Sequence, residues 1–209
     1  MPAPPSFEAN SIASYLREII FNPDLLAAIA HRSYVHDNGF VKIVLDDSGA
    51  SKYRIHVYPA GRIFAAENLH NHRWPFTSLI LVGSLPHEIA TVSADPEGDH
   101  ARFEYIRNED GTFSLSATGE MYHLESIMSD VHDAGDVYVM PTATIHRIIP
   151  PTTFTATFVV TDPPTSNNCS QWNFAGADVG QSGQHQSKDP LEPSEVRRHL
   201  EHLLSELDR

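Results

Sequence analysis

The chain predicts an all-β fold: a single-domain jelly roll or closed sandwich with helices at its amino terminus and one more helix at its carboxyl terminus. Three observations lead there. Short runs rich in β-branched and aromatic residues recur through the middle of the chain; Gly, Asp, Asn and Pro turn signals separate them; and helical periodicity is confined to the two ends. A length of 209 residues suits one domain of roughly 130 to 160 residues with appendages. The expected divisions are a helical segment at 1–35, a barrel at 36–164, a linker or lid at 165–190 and a helix at 191–209.

Ile12, Leu16, Ile19 and Ile20 recur at i, i+4, i+7 and i+8, an amphipathic helix with Ser11 as its expected cap. Asn22-Pro23 stops it and starts a second helix with Leu25, Leu26 and Ile29 on one side. Both are expected to pack on the outside of the barrel. From Phe40 the period changes. Residues 40–45 (FVKIVL) and 53–58 (YRIHVY) read as strands around a turn at Asp46-Asp47-Ser48-Gly49. In the second run Arg54, His56 and Tyr58 leave one face and Tyr53, Ile55 and Val57 the other. Alternation leaves open whether that polar face meets solvent or lines a cavity.

An apolar run at 76–82 and a strand at 85–92 follow, then a turn over 93–100. Residues 101–106, 112–117 and 122–128 read as a meander with turns at Glu109-Asp110-Gly111 and Thr118-Gly119. The run 153–161 ends at Pro163-Pro164. Eight to ten strands are expected in all. From Thr165 to Lys188 the chain is rich in Ser, Asn, Gln and Gly. Trp172 and Phe174 inside it are expected to dock, either at the barrel mouth or on a neighbouring subunit. Val196, Leu200, Leu203, Leu204 and Leu207 make a final helical stripe after Pro193-Ser194.

Composition narrows the function classes. The formal net charge of −13, from 14 basic and 27 acidic residues, speaks against a nucleic-acid partner. The single cysteine, Cys169, rules out an internal disulfide framework and fits a reducing compartment. Neither a basic region followed by an apolar core at the amino terminus nor a long apolar span is seen. The expectation is a cytoplasmic protein with no membrane partner, acting on a small molecule and possessing helices suited to homodimer formation.

With 13 histidines in the chain, only spacing separates a ligand from a surface residue. His70 and His72 stand two apart at the head of the apolar run that closes on Gly83. On an extended strand both imidazoles leave one face, which is half a metal site. A second stretch, GDVYVMPTATIHRIIP, carries Gly135, Pro141 and His146.

Together these stretches resemble the paired motifs of the cupin family, a glycine and His-x-His closing on glycine, then Gly-x5-Pro-x-Gly-x2-His. Ala143 replaces the second motif's middle glycine and Pro150 its terminal asparagine; Phe76 or Thr77 stands where the family's acidic ligand would be. The resemblance implies a cupin jelly-roll barrel with a metal held by His70, His72 and His146. A three-histidine site is similar to that of the thiol dioxygenases, and the His146-Arg147 pair and the strand ending in Pro163-Pro164 share that likeness. In that group an arginine anchors the substrate carboxylate; Lys42 stands at that place here, with Arg54 and Arg62 as further candidates. The group's crosslinking cysteine falls at Phe76 or Thr77 and its tyrosine near Thr161.

Three neutral ligands would leave a divalent ion near its full charge, favouring an anionic substrate. The resemblance therefore implies an oxygenase or oxidase using O2 on a small polar substrate such as cysteine or a related thiol, with Fe(II), Ni(II) or another divalent transition metal. A non-oxidative isomerase or lyase and a non-catalytic binding protein are the alternatives. Tyr58 and Tyr138 are the candidate hydrogen-bond donors to reacting groups, and Trp74 and Phe76 would narrow the pocket. Glu67 is a candidate extra ligand or base. His56, His87, His123 and His132 are expected to be structural, with His56 the first exception.

Overall fold

The structure is a computed structural model that describes residues 4–36, 38–60, 68–107, 113–175 and 189–209. Gly61, Arg62, Glu67, the turn at Glu109-Asp110-Gly111 and residues 176–188 of the expected linker lie outside the described residues.

Two helices open the chain, α1 (Ala9–Phe21) and α2 (Pro23–Arg32), and one closes it, α3 (Pro193–Leu207). Between them run β1 (Tyr34–Val35), β2 (Val41–Asp46), β3 (Lys52–Tyr58), β4 (Leu69–His70), β5 (Phe76–Val82) and β6 (Ser84–Ala94). The second half adds β7 (His100–Arg107), β8 (Phe113–Asp133), β9 (Val137–Met140), β10 (Ile145–Ile148), β11 (Thr155–Thr161) and β12 (Cys169–Phe174). All pairings are antiparallel. One sheet has the order β1-β2-β3-β11-β5-β9; the other strands hydrogen-bond in a closed ring, β10-β4-β12-β7-β8-β6. The fold is thus an all-β jelly-roll barrel with helices at both ends, as the strand pattern predicts.

The period-two pattern gives the first sheet two different faces. Ile43, Leu45, Ile55, Val57, Leu79, Leu81, Ala156 and Phe158 leave its outer face and pack in one buried cluster with Ile12, Leu16, Ile29 and Leu200 from the three helices. Each such aliphatic side chain contributes about 1.5–3 kcal/mol on burial. The alternate residues, among them Lys42, Arg54, His56 and Thr157, therefore point into the barrel. The ambiguity over the polar face of β3 is resolved by the helices, because they occupy the other side.

Ser33 ties the helical layer to the sheet. Its hydroxyl donates to Ile29 O (2.7 Å) and accepts from Val44 N (2.9 Å), while its carbonyl accepts from Leu191 N (2.8 Å). Arg32 adds a bond to Val44 O at 2.7 Å and another to Leu45 O. At the far end Arg17 forks onto Asp208 at 2.7 and 2.9 Å, joining α1 to the end of α3.

Several expectations are corrected. The cap of α1 is Glu8, not Ser11, which lies inside the helix and accepts from Ser6 N. Asn22 caps α2 as expected, accepting from Leu25 N at 3.0 Å. Thr118-Gly119 is not a turn: β8 runs through it, and the register against β7 shifts between Ala101 and Phe103. Gly119 has φ +79°, so the left-handed residue that suggests a turn here forms a bulge. Gly83, at φ +76°, makes the tight link between β5 and β6, where a Cβ would lie 2.4 Å from Phe154 O.

The expected linker or lid at 165–190 is also corrected in part. Residues 169–174 form β12, which fills the ring between β4 and β7. Trp172 packs against Leu69 and Ala90 on the face of the ring opposite to His70, and Phe174 stays exposed, edge-on to His100 at 5.5 Å. Among the described residues the strands number twelve, more than the eight to ten expected.

Candidate metal centre

Strand pairing brings the two histidine motifs together. His70 on β4 is the direct cross-strand partner of His146 on β10, so their side chains leave the same face toward the barrel interior. His72 lies just beyond β4, its backbone N–H donating to Thr142 O at 3.4 Å. Asn71, between the two ligands, is clamped by β12: its N–H donates to Ser170 O (3.0 Å) and its Oδ1 accepts from Ser170 N (2.7 Å). The His-x-His element is therefore a two-residue strand followed by a pinned irregular segment, not the longer extended run expected.

The three rings converge. Their centroids are 4.9 Å apart for His70 and His72, 4.8 Å for His70 and His146, and 5.1 Å for His72 and His146. One nitrogen from each lies within 4.8 Å of the others. His72 Nε2 and His146 Nε2 face each other at 2.8 Å. Two cis imidazoles bound at about 2.1 Å to one ion stand about 3 Å apart, so this spacing fits a shared cation. His70 Nδ1 lies 2.9 Å from Asn68 O. A carbonyl only accepts, so Nδ1 carries the proton and Nε2 keeps its lone pair for a metal. His146 Nδ1 is buried with no hydrogen-bond partner.

Burial lowers the pKa of His72 well below the ordinary value, with His70 and His146 adding to the effect. Burial does the same for His146, assisted by His70 and His87. Both rings are thus free bases near neutrality, the form that ligates. The donor set fits a borderline divalent transition ion with open coordination positions. The Phe76 and His72 rings meet edge to face at 5.1 Å, and the phenyl ring offers no ligand atom.

The triad opens into a cavity of about 120 Å³. Every described candidate residue lines it: Lys42, Arg54, Tyr58, Trp74, Phe76 and Tyr138 join His70, His72 and His146. Arg62 and Glu67 lie outside the described residues. The sequence understates His56 and gives no sign of Thr157, while Thr161 enters it only as the place of the resembled group's tyrosine; the i, i+2 spacing from Arg54 to His56 carries the signal for the first. His56 sits opposite both Lys42 on β2 and Thr157 on β11.

The cavity wall is cationic and aromatic. Among the described residues no Asp or Glu lines it. Arg54 donates to Thr161 Oγ1 at 3.1 Å and its guanidinium carbon lies 6.0 Å from the Trp74 ring. Its Nε is buried with no partner, and burial lowers the pKa of the group. His56 Nε2 is likewise buried and unpartnered; burial, then Lys42 and Arg54, lower its pKa well below the usual value. Phe40 packs against His56 at 4.7 Å and Tyr58 at 5.2 Å. No described helix is long and apolar enough to cross a membrane.

No family profile matches the chain, and no curated protein matches it. Solved structures of similar fold include cupins. An RmlC-like cupin from Shewanella frigidimarina is 16% identical over 65% of this chain and 86% of its own, with a TM-score of 0.37. A cupin 2 conserved barrel domain protein from Salinispora arenicola is 12% identical over 62% of this chain and 80% of its own, with a TM-score of 0.36. The DMSP lyase DddQ from Ruegeria pomeroyi is 12% identical over 62% of this chain and half of its own, with a TM-score of 0.38.

Proposed function

We propose that the protein is a mononuclear metal-dependent oxygenase or oxidase of the cupin type, acting with O2 on a small anionic substrate such as cysteine or a related thiol. The observation that carries the reading is the pairing of a three-imidazole site with a cavity in which no described carboxylate lines the wall and Arg54 has no described ion-pair partner. His70, His72 and His146 would hold Fe(II), with Ni(II) or another divalent transition metal as substitutes. Such an ion supplies Lewis acidity and a path for electrons between a substrate and O2.

The chain's own groups bind and orient. Arg54, with Lys42 on the neighbouring strand, draws a carboxylate to the wall opposite the triad by charge-assisted hydrogen bonds. Trp74 and Phe76 limit the room and displace water, which strengthens every polar contact inside. Tyr58 and Tyr138 present hydroxyl groups to the same space and are the candidate proton donors. The neutral His56 can accept a hydrogen bond from a bound thiol or ammonium group, its Nε2 being otherwise unsatisfied.

The test is metal analysis of chelator-free protein together with an oxygen-electrode screen of cysteine and related thiols. Metal uptake with thiol-dependent oxygen consumption supports the reading. Turnover of a substrate without oxygen consumption replaces it with a non-oxidative isomerase or lyase, and metal uptake without any turnover replaces it with a binding protein.

A further inference from the structure

A second group of metal-ligating side chains lies on the ring outside the triad. His87 on β6 pairs directly with Asp130 on β8, and Leu85 with His132. Residues directly opposite and two apart along a strand share a face, so His87, Asp130 and His132 project together. One ligand atom from each lies within 4.8 Å of the others.

The surroundings point to an ion. His87 is 3% exposed and its Nδ1 is buried with no hydrogen-bond partner, an arrangement that is costly unless a ligand satisfies the nitrogen. His132 Nε2 stands 4.0 Å from Asp130 Oδ2, too far for a hydrogen bond. Two ligands bound at about 2.1 Å to a tetrahedral ion stand about 3.4 Å apart, which a small turn of the exposed Asp130 side chain reaches. The rings of His87 and His132 stack at 4.5 Å with 23° between their planes, and Tyr138 stacks on His132 at 4.3 Å, so one imidazole turns out of the stack when both lone pairs reach one ion. Asp130 is exposed, leaving a route from solvent, and its carboxylate offsets the charge of an arriving cation.

We propose that His87, Asp130 and His132 form a second site for a borderline divalent cation, with Zn(II) as the type ion for two imidazoles, one carboxylate and water. Its ligands are drawn from β6 and β8, while the triad uses β4, the segment after it and β10. His87 also pairs with Ile148 on β10, so the two centres share the inward side of one ring.

Zinc titration of chelator-treated full-length protein, read by calorimetry and elemental analysis, tests this. Wild type binds two equivalents, His132→Ala one, and His72→Ala one. Asp130→Ala, an exposed change that spares the fold, weakens the second equivalent about ten-fold or more. Unfolding midpoints in chelator confirm that each variant is folded. A single wild-type equivalent that His72→Ala abolishes and His132→Ala retains overturns the proposal. A single equivalent lost in His132→Ala and kept in His72→Ala upholds it and removes the triad reading instead.

Discussion

Arg54 illustrates how a side chain can serve binding at the expense of stability. A guanidinium with a buried, unpartnered Nε is costly to hold in place. Arg54→Met should raise stability by about 1 kcal/mol in denaturant unfolding. The same change should weaken binding of cysteine to the metal-loaded protein by about 10- to 100-fold, the counterpart of the roughly 1.5–3 kcal/mol in a charged hydrogen bond. A variant that binds as well as wild type would remove Arg54 from the anion site. His56 gives a pH dependence whose sign is fixed by its environment. Its folded pKa is depressed by burial and by Lys42 and Arg54, so the unfolded chain binds the proton more readily. Stability is therefore full above the unfolded value of about 6.5 and falls as pH drops through that value toward the folded one. Urea midpoints at pH 7.5 and pH 5 should differ less in His56→Phe than in wild type; equal differences would contradict this account.

At the scale of elements, the triad owes its assembly to β12 as well as to β4 and β10. The two histidine motifs were legible through their resemblance to the paired cupin motifs, because His70, His72 and His146 keep that pattern's distances from Gly83, Gly135 and Pro141. The clamp on Asn71 was not. Residues 169–174 (CSQWNF) sit in a stretch whose polar composition reads as a linker, and only Trp172 hints that it is tied down. Its strand character comes from pairing with β7 and β4, a tertiary effect that local propensity does not contain. The cluster of His87, Asp130 and His132 was hidden for a related reason: its members meet only through the register of β6 against β8. If β12 orients the ligands, Asn71→Ala should reduce metal affinity at the triad about ten-fold while leaving thermal unfolding of the metal-free protein within a few degrees of wild type. Unchanged affinity, measured by competition with a chelator, would show that the clamp is only structural.

For the whole molecule, the first sheet separates two tasks. Its outer face carries the apolar half of each strand and gains its stability under α1, α2 and α3; its inner face carries Lys42, Arg54, His56 and Thr157 and turns toward the triad. The fold class was readable because period two persists through β2, β3, β5 and β11, and the helical ends were readable from their 3.6-residue stripes. Which face turned inward was not, since that depends on where the helices dock. The separation predicts independence. Leu200→Ala, deep in the helical layer and fully buried, should cost about 2–5 kcal/mol of stability yet leave metal affinity unchanged under native conditions. Loss of metal binding in the folded variant would mean that the two faces are coupled.

The central claim is that rings from two distant segments converge on one cation. Anomalous diffraction from crystals of metal-loaded protein tests it most directly. The account predicts a peak bounded by His70, His72 and His146, with a ring nitrogen of each at about 2.1 Å. Density without such a peak, or the three rings turned away from one another, would contradict it.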